Sequence, residues 1–385
     1  MSNSNPFNFK TLSVEAPFCN RVKEKTTLIH AAESGNDVVL YAPRRYGKTS
    51  LVKRAQQDLA EKGYVTVFAD LCGVASAADV ASKLATDIYK VTRKDESLWK
   101  KAVRFITSYR PVLRPTASET EIKMEITVEA VAGKSGFELL ESVMKEIEEF
   151  VNSGGVKLNI AFDEFQDIVT LSDAKAIESC MRTYIQRYKG SHFFIGSQRR
   201  ILSAMFNDEQ RPFFRSARNM HLVPLPKEEL VPFIQSLFSE GGKICSVKIA
   251  EMMADFAKCH PYYTQKLGHF VFEQPGIEIM AGVEVTERDV QEGISDVFAD
   301  AKPYFESLIQ PLPPQQRLVL RAIAKEPTDK LMAKAYIRKH VLGSTSAITL
   351  ALKHLSGLDH IEEDSKGVWS IVDPIFGQWI TNQYQ

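Results

Sequence analysis

The 385-residue chain lacks any run of about 18 apolar residues, so no membrane-spanning helix is expected. Its opening, MSNSNPFNFK, is polar and lacks the apolar centre of a signal peptide. Its five cysteines, Cys19, Cys72, Cys180, Cys245 and Cys259, are scattered and form no C-x-x-C pair. That spacing argues against a disulfide framework and against a zinc site, and it fits a reducing cytoplasm. An excess of one charge is missing too: 48 Lys+Arg face 48 Asp+Glu, for a formal net charge of zero. No global field then draws in nucleic acid or an anionic membrane, and such binding would need a local patch. No acidic cluster of nuclease type, no Ser-His or Cys-His set, no internal repeat and no low-complexity tract stands out.

What is present is the balance of a soluble globular protein, 44% hydrophobic and 25% charged, long enough for two or three domains. Short apolar runs at 37–41, 64–69, 158–162 and 192–196 read as strands, with helices at 21–34, 49–62, 77–107, 135–152 and 174–189 between and before them. Strands that alternate with helices imply an α/β fold with a parallel sheet. Residues 110–130 differ: Ile122-Lys-Met-Glu-Ile-Thr-Val128 alternates with period two and reads as a small inserted hairpin. After residue 222 only helical patterns occur, at 226–239, 246–258, 262–272 and 286–309, until Pro311-Leu-Pro-Pro314 breaks the chain. The tail reads as three helices, near 316–324, 335–340 and 344–355, followed by a two-stranded turn at 359–372. Ser344 is a candidate N-cap, and Tyr336, Leu350 and Leu355 are expected in the core. The expected division is therefore a core at 1–222, a helical lid at 223–310 and a winged helix at 311–385.

Chemistry is concentrated in Val38-Val-Leu-Tyr-Ala-Pro-Arg-Arg-Tyr-Gly-Lys-Thr-Ser50. It has the form of a phosphate-binding loop, in which backbone N–H groups and a helix N-terminus face phosphates. Ala42 stands where the motif has its first glycine, a small change if that residue keeps a negative φ. The candidate nucleotide-binding residues are Ala42, Pro43, Arg44, Arg45, Tyr46, Gly47, Lys48, Thr49 and Ser50. Gly47 allows close approach, Lys48 reaches the β- and γ-phosphates and Thr49 ligates Mg²⁺. Such a loop needs a second acid for the metal. The apolar run at 158–162 ends in Asp163-Glu164, so Asp163 is the expected Mg²⁺ partner and Glu164 the general base for the attacking water.

The segments YAPRRYGKTSL, LNIAFDEFQDI, FFIGSQ and CHPYYTQKL resemble the archaeal-type P-loop ATPases of the STAND and AAA+ assemblage over about residues 16–380. The resemblance implies a P-loop core, a helical lid and a C-terminal winged helix. It implies weak contacts to the adenine from Asn20 and Arg21, and a γ-phosphate sensor at Ser197 and Gln198, with a helix N-cap as the other reading of Ser197. It implies that His260 and Pro261 face the nucleotide from the lid. Among Arg199, Arg200, Arg211, Arg215 and Arg218 it implies an arginine finger, in cis or across a subunit contact; Arg215 is the first choice. ATP is expected over GTP, since no N-K-x-D motif is present.

The expected function is a Mg²⁺-dependent ATPase that switches a protein partner or its own assembly. One alternative is an initiator or adaptor that loads on DNA through the winged helix, with Arg199-Arg200 or Lys334, Arg338 and Lys339 as its basic patches. Residues 311–385 hold nine basic and seven acidic side chains, a weak footprint for DNA. A third reading is a module that holds nucleotide without turnover.

Overall fold

The computed structural model describes residues 5–10, 16–117, 122–278, 282–364 and 366–383. They divide into two compact units. The first runs from Arg21 to Val223 and includes residue 16. The second starts at Pro224 and takes in residues 5–10 and 17–20.

The first unit is built as α1 (Val22–Glu33), β1 (Val38–Tyr41), α2 (Lys48–Glu61), β2 (Val65–Asp70), α3 (Ala77–Thr92), α4 (Glu96–Phe105), β3 (Tyr109–Ala117), β4 (Ile122–Ala130), α5 (Gly136–Gly154), β5 (Leu158–Asp163), a 3₁₀ turn (Phe165–Thr170), α6 (Ala174–Ile185), β6 (Gly190–Gly196), α7 (Arg199–Asn207) and β7 (Arg218–His221). Five strands form one parallel sheet in the order β2-β5-β6-β1-β7. Helices cover it, so β5 is buried along its whole length and is apolar at four of its six positions, without the in-out alternation of a half-exposed strand. Its one amide, Asn159, is satisfied by Ser191 and by Gln56 from α2, which ties helix to sheet.

Four of these strands are visible in the sequence, and β7 is not. It is an edge strand of only four residues, Arg-Asn-Met-His, with three of them exposed. A strand that buries so little has no apolar periodicity to read. The hairpin β3–β4 pairs with itself, Tyr109 opposite Ala130, and packs on α3 as a separate two-stranded sheet. Its turn, residues 118–121, lies outside the described residues.

At the N-terminal ends of the strands sits a closed polar network. His192 on β6 is fully buried; its Nδ1 contacts Asp37 Oδ1 at 2.8 Å and its Nε2 contacts the Tyr188 hydroxyl at 2.8 Å. The Asp37 carboxylate also accepts the His192 backbone N–H at 2.9 Å. Every polar atom of the imidazole is thereby used.

The second unit holds α8 (Lys227–Glu240), α9 (Val247–Phe256), α10 (Pro261–Phe272), α11 (Pro275–Glu278), α12 (Glu287–Ile309), α13 (Pro314–Lys325), α14 (Lys334–Lys339), α15 (Thr345–Gly357), β8 (Ile361–Glu363), β9 (Trp369–Ile371) and α16 (Pro374–Gln383). A capping box, Thr286 with Asp289, starts α12 and contributes about 1 kcal/mol. Phe7 inserts here against Phe238, so the opening segment packs with the helices rather than with the sheet, to which the sequence reading assigned it. Ser344 caps α15 by accepting the Ala347 N–H. Tyr336 and Leu355 are buried, but Leu350 is 68% exposed, against expectation. The buried stripe of α15 is Ile348, Ala351, Leu352 and Leu355, and Leu350 falls on the other face. A last helix, α16, follows the wing and was not expected. Phe376, Trp379 and Ile380 anchor it in the core.

Candidate functional site

The strand order decides what can meet. β6 lies between β1 and β5, so the loop after β1, the residue after β6 and the acids after β5 share the C-terminal edge of the sheet. Ligands of open α/β sheets bind at that edge.

The loop after β1 turns tightly into α2. Ala42 is buried and is not among the residues with positive φ, so alanine fits there without strain. Arg45 takes φ 66 and Gly47 takes φ 83, both left-handed, and Gly47 is the N-cap of α2. A left-handed N-cap with no side chain leaves the first N–H groups of the helix open to an anion. Tyr46 and Ser50 are buried, while Arg44 and Arg45 are exposed.

Lys48 folds back over its own loop. Its Nζ donates to the carbonyls of Ala42 at 2.7 Å and Pro43 at 2.9 Å. Burial lowers its pKa to about 8, with Glu164 and Asp163 pulling it up and Arg44 pushing it down. The Thr49 hydroxyl donates to Asp163 Oδ2 at 2.8 Å, joining the phosphate loop to the strand that carries the acids. Burial pushes the Asp163 carboxyl up, and the Thr49 hydrogen bond opposes it. Asp163 also accepts the Glu164 N–H at 3.0 Å.

Glu164 has φ 48, a left-handed turn straight out of β5. Its Oε2 accepts from Ser197 Oγ at 2.9 Å and from Gln166 Nε2 at 2.5 Å. Ser197 is therefore not the cap of α7; that position is Gln198, whose side chain makes no capping bond. Gln166 was not singled out in the sequence. Only the left-handed turn at Glu164 brings a residue two places on back to its carboxylate, and nothing in the composition announces that turn.

Lys48, Thr49, Asp163, Glu164 and Ser197 thus meet in one place. The hydroxyl of Thr49 and the carboxylate of Asp163 are hard oxygen donors within hydrogen-bond reach of each other, a pair that fits Mg²⁺.

Other candidates stand elsewhere. Arg21 starts α1 with φ 67, and its guanidinium is committed to Glu24 at 2.9 Å and the Val223 carbonyl at 2.6 Å. Asn20, φ 52, belongs to the second unit. In that unit His260 is buried and caps α10, accepting the Tyr262 N–H at 3.2 Å, and Pro261 is the first residue of the helix. Arg211 is paired with the buried Glu178. Arg199 lies over the Tyr41 ring at 5.9 Å, and His221 stacks on the same ring at 5.3 Å. Burial, then Arg199 and Arg21, holds the His221 imidazole below its usual pKa.

Arg215 lines a cavity with His30, Asn36, Asp37 and Arg218, at the N-terminal end of β1. The loop leaves the other end of that strand, about 13 Å away at the usual rise per residue. Arg215 is therefore out of reach of its own loop's phosphates, and a cis finger at this residue is excluded. In the winged helix, Lys339 is tied to Glu326 at 2.7 Å, which weakens the expected basic patch.

The comparisons bear on the same elements. The sequence matches a family described as "ATPase domain predominantly from Archaea" over residues 18–251, and a "probable winged helix domain" over 303–382. No curated protein matches the chain. The Walker-type ATPase PABY2304 of Pyrococcus abyssi has a similar structure, with a TM-score of 0.65 at 16% identity, covering 97% of this chain and 99% of that one. The Aeropyrum pernix ORC2 protein, solved as ADPNP-ADP complexes, gives 0.59 at 15% identity, covering 98% and 96%. The Aeropyrum pernix ORC1 protein in complex with DNA gives 0.53 at 13%, covering 99% and 96%. At such identities these likenesses speak for the fold. The family match spans more than half of the chain and contains the phosphate loop, both acids and Ser197; the protein belongs to this predominantly archaeal ATPase-domain family and carries a C-terminal winged helix.

Proposed function

We propose that the protein binds ATP with Mg²⁺, hydrolyses it, and uses its nucleotide state to switch a protein partner or its own assembly. One observation carries this reading. The Thr49 hydroxyl and the Asp163 carboxylate are joined at 2.8 Å, with Glu164 next in the chain and held in place. In this assignment Lys48 leaves its two loop carbonyls to meet the β- and γ-phosphates. Thr49 and Asp163 hold Mg²⁺, which when bound neutralises charge developing on the phosphates. Glu164 takes the proton of the attacking water, and Ser197 marks the γ-phosphate. The nucleotide-binding residues are Ala42 through Ser50 and Ser197, with Asn20, Arg21, His260 and Pro261 as contacts to be tested. The functional division is a core at about 21–222, a lid at 223–310 that takes in the opening segment, and a winged helix at 311–385, in the reducing cytoplasm that five free cysteines suit.

Since Arg215 cannot serve its own loop, it acts as a finger only on a second copy. ATP turnover per subunit then rises with protein concentration, and Arg215→Ala removes the rise while leaving the dilute rate unchanged. A dilute rate that falls with Arg215→Ala counts against this role. The DNA-loading alternative draws on the winged-helix match and on Thr345, Ser346, Thr349 and Lys353 exposed on α15. Turnover stimulated by duplex DNA would favour it over the partner switch.

A further inference from the structure

Gln166 stands in the 3₁₀ turn after β5 and is 2% exposed. Its Nε2 donates to Glu164 Oε2 at 2.5 Å and to Asp167 Oδ1 at 3.2 Å. Its own Oε1 is buried with no hydrogen-bond partner among the described residues. A buried amide oxygen left unpaired opposes folding, so an apolar residue would pack there more favourably. Something other than stability therefore accounts for an amide at this position.

The surroundings hold that amide in a single pose. At Gly196, the last residue of β6, an added Cβ would lie 1.9 Å from Gln166 Oε1 and 2.5 Å from Leu202. The end of the strand is cut back to glycine to leave room for the glutamine. The left-handed turn at Glu164 then folds Gln166 back towards the carboxylate. Ser197, one residue after Gly196, donates to the same Oε2 at 2.9 Å. Two donors thus fall on one oxygen of Glu164, and among the described residues none falls on Oε1. A carboxylate pinned by one oxygen is fixed in rotation, and its other oxygen is left to accept a proton.

The two donors are not equivalent. A serine hydroxyl has one proton, so Ser197 can serve Glu164 or a phosphate oxygen but not both at once. Gln166 is anchored a second time through Asp167 and is the constant donor.

We infer that Gln166 is a positioning residue for Glu164: its amide is the fixed half of a two-donor clamp that aims the carboxylate, and Ser197 is the exchangeable half. This rests on Glu164 being the general base. Gln166 touches neither substrate nor metal in this account; it acts through the carboxylate.

The test is Gln166→Met in the full chain, which keeps the volume and removes the donor. The expected result is a kcat lowered about 10- to 100-fold, the scale of a mispositioned catalytic group. KM for ATP should stay within about twofold, because the clamp acts on the chemical step. Placed on a Glu164→Gln background, the same change should leave the residual rate unaltered within about twofold, because the group it positions is gone. A merely structural role would lower both backgrounds alike, and that result overturns the inference. So does a parent-like kcat in Gln166→Met. If Gln166→Met fails to fold, Gln166→Asn, which keeps the amide but withdraws it by one methylene, is held to the same expectations. A parent protein with no ATP turnover would sink the functional reading and this inference together. Turnover in the parent with a silent Gln166→Met would sink the inference alone.

Discussion

The two ends of one sheet carry buried polar clusters of opposite character. At the N-terminal end, Asp37, His192 and Tyr188 close on each other, and both ring nitrogens of His192 are used. At the C-terminal end the contacts are incomplete or exchangeable. Lys48 rests on two carbonyls of its own loop; among the described residues Glu164 is held through one oxygen only, and Gln166 keeps a buried oxygen unpaired. The first cluster locks strands together. The second leaves hydrogen-bonding capacity for a ligand, and it stands on loops and turns that the rigid sheet positions. Buried polarity alone does not mark a functional site. Buried polarity with unused capacity, where loops converge, does.

The sharpest way to break this comparison is to remove the carboxylate proposed as the base. Glu164→Gln should lower ATP turnover about 10²- to 10⁴-fold, as loss of a general base does. ATP affinity should change only a few-fold, since the phosphate loop is untouched. Turnover and equilibrium binding, measured on the same preparation, check both halves.

Next comes the loop itself. Lys48→Ala removes the buried ammonium that would meet the phosphates, and should weaken ATP binding by about 100-fold or more, roughly 3 kcal/mol. Calorimetric titration reads it. Unfolding midpoints without nucleotide should barely move, because Lys48 is buried at a cost shown by its lowered pKa.

The opposite end of the sheet should answer in the opposite way. His192→Leu leaves Asp37 and Tyr188 without their shared partner and should destabilise the fold by about 2–4 kcal/mol. The kcat of the protein that remains folded should equal the parent value. Denaturant unfolding beside turnover separates the two. A fall in kcat at full folding would mean that the two ends are coupled, and the contrast between them would fail.

The smallest effect tests burial without chemistry. Asp87 on α3 is half-buried, and burial raises its pKa from 3.8 to about 6, against the pull of Lys90 and Lys83. The folded state then holds the proton more tightly than the unfolded chain. Its contribution is fully present below about pH 4 and is lost as pH rises towards about 6. Asp87→Asn removes that loss. It should stabilise the protein at pH 7 by about 1 kcal/mol and leave it unchanged at pH 4, with turnover untouched. Melting curves at the two pH values decide it.

Much of the candidate site was legible because the proposed chemistry dictates residue types. A phosphate loop needs a Gly-Lys-Thr between a strand and a helix, where Gly47, Lys48 and Thr49 stand, and a metal would need an acid at the end of another strand, where Asp163 and Glu164 stand. Ala42 looked like a defect in the motif, and a negative φ shows why it is tolerated. The parts that escaped have physical reasons. β7 is too short and polar to show a period, and Leu350 sits one position off the buried stripe of α15. Gln166 becomes visible only once the left-handed turn at Glu164 is known. Arg215 was singled out only as one of a cluster of arginines near the end of the core; it precedes β7 at the N-terminal end of the sheet, and a sequence does not show which end of the sheet such a segment occupies.

The account stands or falls on whether the edge that bears Lys48, Thr49, Asp163 and Glu164 turns over ATP. The direct measurement is Mg²⁺-dependent phosphate release from ATP by the full chain beside Glu164→Gln, with ATP binding measured on both. The account predicts release by the parent, near-complete loss in Glu164→Gln, and comparable binding by the two. Equal release from both, or no ATP binding by either, would contradict it.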